Sequence, residues 1–131
     1  MKTLLTILVL CSPIFTQVDK TQWTALTSVV VDESKSVYEI HWYRNDSVVR
    51  KPPVIKFWSR EQKWSDKWQP GYSLSLIEFN CDERTMNIRQ SLDYDGKGDL
   101  VRTLNNVTDG FENVPPDTLA STMLTKMCAL K

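Results

Sequence analysis

His41 is the only imidazole in this 131-residue chain. One histidine leaves no pair for a structural or catalytic zinc site. It also leaves a single base for any Ser-His arrangement, and no Gly-x-Ser-x-Gly elbow is present. Cysteines are few as well, at Cys11, Cys81 and Cys128, with no Cys-x-x-Cys redox pair among them. Charge of one sign is missing too: 16 basic residues balance 16 acidic ones. The short positive runs, at Arg50-Lys51 and between Lys56 and Lys67, are isolated or interrupted by acids. No nucleic-acid footprint results, and no electrostatic steering toward anionic lipid. Asp93, Asp95 and Asp99 form an oxygen-rich loop. However, Leu104 stands where an EF-hand needs its last glutamate, so a Gly-rich hairpin turn is expected there. The chain has no repeat and no low-complexity tract, and one domain suits its length. An enzyme is not expected, nor a cofactor or a metal.

Only one apolar run stands out. Met1-Lys2-Thr3 leads into Leu4 to Cys11, a short apolar stretch behind one lysine. That pattern reads as a secretory signal peptide over residues 1–17, cut near Thr16 or Gln17. The stretch is too short to cross a hydrocarbon layer of roughly 30 Å as a helix. Residues 18–131 form the expected exported domain. The alternative of acylation at Cys11 meets a bulky Leu10 where a small residue is wanted. In an oxidising compartment the remaining Cys81 and Cys128 are expected to join, the alternative being two buried free thiols. The bridge would close a long loop, which the chain-entropy view values at roughly 4 kcal/mol. Asn45-Asp46-Ser47 and Asn106-Val107-Thr108 have the form of glycan acceptors, a signal too short to carry weight.

The expected domain alternates like a sheet. Trp23 to Val31 is rich in β-branched residues, and Asp32 to Lys35 reads as a turn. Ser36 to Tyr43 places Tyr38, Ile40 and Trp42 on one face. Pro52-Pro53 opens a strand from Val54 to Ser59. The polar stretch from Arg60 to Gly71 reads as a long connection with a short helix. Ser73 to Cys81 and Thr85 to Ser91 form a hairpin around Asp82-Glu83-Arg84, with Met86 and Ile88 facing one way. Tyr94 to Gly98 turns into a strand from Leu100 to Leu104. After Val114-Pro115-Pro116 a helix is expected, because Leu119, Met123, Met127 and Leu130, with Ala120, Leu124 and Cys128, make one apolar stripe. The fold class is α+β: a mostly antiparallel sheet of about five or six strands packed by a C-terminal helix, with one disulfide.

Five tryptophans and four tyrosines are many for a small domain. Trp64, Trp68 and Tyr72 lie in its least regular segment and form the candidate binding patch; the alternative is that they cap one end of the core. His41 falls on the strand face opposite Ile40 and Trp42. A haem ligand is one use for it, and a solvated strand histidine is the expected one.

Order and spacing then add a resemblance. Trp23, the run Trp42-Tyr43-Arg44-Asn45-Asp46-Ser47-Val48-Val49-Arg50, Phe57-Trp58, Tyr72-Ser73, Glu78-Phe79-Asn80-Cys81, the glycines of Tyr94 to Gly98, and Val114-Pro115-Pro116 through Cys128 follow one another. This series resembles the surface-adhesin protein E-like domain of Gram-negative bacteria, over roughly Trp23 to Cys128. Asn45 and Asn80 stand where that family has aspartate. Phe111 replaces a tryptophan, and Pro116 a glycine. The resemblance implies a small exported protein, with binding of host matrix and plasma proteins, haem binding and homodimer formation among the family's properties.

The leading expectation is an exported, non-enzymatic binding protein, adhesin-like, at the periplasm or the outer-membrane surface. Its expected partners are a host matrix protein, an envelope component or a second copy of itself. The alternatives are a periplasmic structural or accessory protein without an extracellular ligand, and a small secreted hydrolase or inhibitor.

Overall fold

The computed structural model describes residues 22–32, 37–65 and 71–131. Eight strands and one α-helix follow in chain order: β1 (Trp23–Asp32), β2 (Val37–Arg44), β3 (Val49–Lys51), β4 (Val54–Ser65), β5 (Tyr72–Asn80), β6 (Thr85–Tyr94), β7 (Leu100–Asn105), β8 (Glu112–Asn113) and α1 (Leu119–Cys128). A 3-10 turn at Asn45–Ser47 separates β2 from β3. All pairings are antiparallel, in the order β1-β2-β4-β5-β6-β7.

The α+β class holds, but the strand count exceeds the five or six expected. Two long neighbours are broken. β2 pairs with residues 59–65 of β4, and β3 continues along the same strand against residues 54–56. In the same way β7 pairs with the end of β6 and β8 with its start. The polar stretch after Ser59 is a second correction. Residues 60–65 continue β4 rather than entering a connection with a helix, because β2 pairs with all of them and β5 with residues 60–62. Of the turn expected over Asp32 to Lys35, Asp32 ends β1 and residues 33–35 lie outside the described residues.

Alternation along β4 puts Ile55 and Phe57 on the helix side of the sheet. They meet Phe79 and Ile77 of β5 as cross-strand partners. With Leu26 of β1 and Met123, Leu124 and Met127 of α1 they form the core. Leu26 falls at a register shift in β1 and is buried with them. The Phe57 and Phe79 rings lie 5.5 Å apart in a tilted pair.

The helix is held at both ends. Thr118 caps its start by accepting from the Ser121 amide at 3.2 Å. Cys128 closes its end on Cys81, with the two Cα atoms 5.7 Å apart. Arg84, in the β5–β6 turn, donates to Ser121 and Thr125 on the helix. Lys126 donates to the Leu26 carbonyl. The turn itself is fixed by Asn80, whose side-chain oxygen accepts from the amides of Asp82 and Glu83.

Candidate functional site

Beyond the helix, the same strands change character. On the helix side of β4, Ile55 and Phe57 are followed by Ser59 and Glu61. Their register carries the change across the sheet. Ser59 pairs with Ser75, and Ser75 with Ser91. One step further, a polar row runs from Thr27 through His41, Glu61, Ser73 and Asp93 to Arg102.

The outer side changes in the opposite sense. Near the helix it carries the polar row Lys56, Glu78 and Asn87. Further along it carries Trp58 beside Leu76, then the row Trp42, Arg60, Leu74 and Leu92, then Ile40, Gln62, Tyr72 and Tyr94. A strand inverts its amphipathic phase only where two apolar residues adjoin or an extra residue enters. Both devices are present. Phe57-Trp58 and Leu76-Ile77 are adjacent apolar pairs. In β6 a register shift opposite Leu76 and Ile77 leaves Arg89 as the extra residue, which turns Leu92 and Tyr94 outward.

No described element covers this outer face, and its Trp42, Trp58, Leu74, Leu76 and Leu92 are all partly exposed. Arg60 lies at its centre and is only 9% exposed. Its guanidinium carbon sits 3.9 Å from the centre of the Tyr72 ring. Tyr72 in turn stacks on Tyr94, with ring centres 4.7 Å apart. Arg60 donates from Nη2 to Gln62 at 3.2 Å, while its Nε has no partner. Among the described residues no carboxylate pairs with it. Burial lowers its pKa from the ordinary arginine value, but an arginine remains charged at neutral pH. The result is a desolvated cation, held by aromatic contact, with one donor unused.

Of the three residues expected in a binding patch, Tyr72 is therefore placed on this face. The main chain of Trp64 belongs to β4, while its side chain and the whole of Trp68 lie outside the described residues. Trp42, Trp58, Arg60 and Tyr94 lie on the same face but outside the patch expected from sequence. The adjacent apolar pairs were the signal that marks their face.

His41 is not solvated as expected. It is 7% exposed, and its Nε2 lies 2.7 Å from Glu39 Oε1. It is paired on both sides, with Thr27 of β1 and Glu61 of β4. Glu61, directly opposite, has its carboxyl pKa raised, first by burial and second by the Glu39 charge. Asp95 of the β6–β7 connection and Asp93 of β6 are both occupied by hydrogen bonds. Asp95 accepts from the amides of Lys97 and Asp99, and Asp93 binds Ser73 and Arg102.

The surface-adhesin protein E family model matches residues 23–129, the whole described sheet and its helix. The chain belongs to the surface-adhesin protein E family. No curated protein and no solved structure is similar enough to add to that finding. Family membership suggests a binding protein of the cell exterior rather than an enzyme. No described helix is long and apolar enough to cross a membrane.

Proposed function

We propose that this protein is an exported, non-enzymatic adhesin-like binding protein, displayed at the outer-membrane surface, and that its ligand docks on the outer sheet face around Arg60. The carrying observation is the phase inversion. A sheet that turns Trp42, Trp58, Leu74, Leu76 and Leu92 away from its own helix is shaped to bury them against something else. Tryptophan, tyrosine and arginine are also the side chains that dominate binding energy at protein interfaces. The unused Arg60 donor adds chemistry: the ligand brings an acidic group to the centre of an aromatic surface. An extracellular-matrix protein of the host supplies such groups in quantity.

Partial exposure of Trp42 and Trp58 favours this reading over a periplasmic accessory role, for which a fully covered sheet would be expected. The test is saturable binding of the purified protein to immobilised matrix proteins, measured with the wild type, Arg60→Ala and Tyr72→Ala. Each substitution should weaken binding by about 2 kcal/mol or more, while the exposed Lys97→Ala should leave it unchanged. Absence of saturable binding, or equal binding by all variants, would overturn the reading. Protease shaving of intact cells, with a periplasmic marker, tests the surface location separately.

A further inference from the structure

The second unusual group lies on the other face of the sheet. His41 of β2 and Glu61 of β4 are direct cross-strand partners. Glu39 precedes His41 by two residues, so all three side chains leave the sheet on the helix side, beyond the end of the core. Their donor atoms lie within 4.8 Å of one another, with His41 Nε2 and Glu39 Oε1 2.7 Å apart. The geometry points to a divalent transition-metal site in which Glu39, His41 and Glu61 each supply one ligand.

Four physical points support it. First, donor spacing fits. Ligands about 2.0–2.2 Å from a tetrahedral zinc are separated by roughly 3.3 Å, which lies inside the observed spread. Small rotations of two glutamate side chains reach that spacing without moving the sheet.

Second, charge fits. Glu39 and Glu61 face one point and repel each other, and a dication between them offsets both carboxylates. Lys63, opposite Glu39, offsets part of the Glu61 charge, but it is exposed and solvent screens it.

Third, access fits. His41 is buried, which fixes its ring, while Glu39 and Glu61 are partly exposed and leave room for water as a further ligand. Fourth, the donor types select the ion: one imidazole with two carboxylates suits zinc and its first-row neighbours better than calcium, which takes oxygen ligands alone. The lone histidine excluded a histidine-rich zinc site, but carboxylates can complete a set around a single imidazole.

Nothing in the docking face on the opposite side is needed for this site, so either can fail without the other. The test titrates the purified protein, first stripped with a chelator, with zinc by calorimetry and with cobalt by visible absorption. One equivalent should bind saturably, and cobalt should develop d–d bands displaced by zinc. Loss of an outer-shell partner alone weakens metal sites about 10–100-fold, so His41→Gln and Glu61→Gln should each weaken binding at least tenfold. Asp93→Asn, in the same polar row but outside the set, should bind as the wild type does. Circular dichroism of the metal-free variants checks folding, and Glu61→Gln alone decides if His41→Gln fails to fold. Uptake that is absent, or unaltered by Glu61→Gln, would overturn the assignment.

Discussion

Two ends of one sheet differ more here than its two faces do. At the helix end, Ile55, Phe57, Ile77 and Phe79 point inward beneath Met123, Leu124 and Met127. At the far end the same strands point Ser59, Glu61, Ser73 and Asp93 to that side, and turn Trp42, Leu74 and Leu92 outward. The helix end satisfies itself, with core, disulfide and cap all internal. The far end leaves its apolar side to a partner. Stability and recognition are thus separated along the strands rather than between layers, and substitutions can be ordered by which end they touch.

The largest effect belongs to the helix end. Phe57 and Phe79 are fully buried and pack diagonally across β4 and β5. Phe57→Ala should cost about 3–5 kcal/mol, seen as an earlier midpoint in denaturant unfolding. If the two ends are independent, the Arg60 face should keep its ligand affinity wherever the variant remains folded.

Next comes the disulfide. Cys81 and Cys128 are 47 residues apart in sequence, and their bridge ties β5 to the end of α1. Either single replacement by serine should destabilise by about 2–5 kcal/mol. The double replacement should add little, since one bridge is lost in all three cases. Denaturant melts of the three variants check this, and an unchanged midpoint in all would contradict it.

A smaller effect is expected at the far end. Gly71 lies so close to β6 that an added Cβ would sit 1.7 Å from the Tyr94 carbonyl oxygen. Gly71→Ala must therefore push β5 from β6 where Tyr72 stacks on Tyr94. The cost should be about 1–3 kcal/mol. Unlike Phe57→Ala, it should also weaken ligand binding in protein that is still folded, a difference that separates the two ends directly.

Much of the helix end was legible in sequence. Met86 and Ile88 alternate, Asn80 to Arg84 forms a turn, and the stripe from Leu119 to Cys128 is helical, so local pattern and tertiary burial agree there. The far end was harder because its pattern inverts. Read with one fixed phase, residues 60–65 look too polar for a strand. Pairing with β2 and β5 overrides that impression. The inversion was nevertheless written in Phe57-Trp58 and Leu76-Ile77. The burial of His41 had no comparable signal, since it depends on which residues β1 and β4 bring alongside it. Likewise β3 and β8 are too short for periodicity to reveal; they exist because an edge of β4 or β6 is available.

The smallest effect sits in the polar row of the far end, where charge rather than packing decides. Asp93 accepts from Ser73 at 2.6 Å and from Arg102 at 2.6 Å. The Ser73 hydrogen bond, followed by Arg102, holds its pKa below the ordinary carboxylate value, against a partial offset from burial. A carboxyl depressed in the folded state binds protons more weakly there than in the unfolded chain. Its stabilisation is therefore present above the unfolded value of about 4 and is lost as the pH falls through the lower folded one. Arg102 is largely exposed, so the pair is worth about 1 kcal/mol or less. Asp93→Asn keeps an acceptor for the Ser73 hydroxyl and loses only the charge. Melting temperatures should thus differ slightly at neutral pH and converge in acid, whereas a difference independent of pH would mean that Asp93 acts through its shape and not its charge. Either way the core beneath α1 should be untouched, because no residue of that row reaches it.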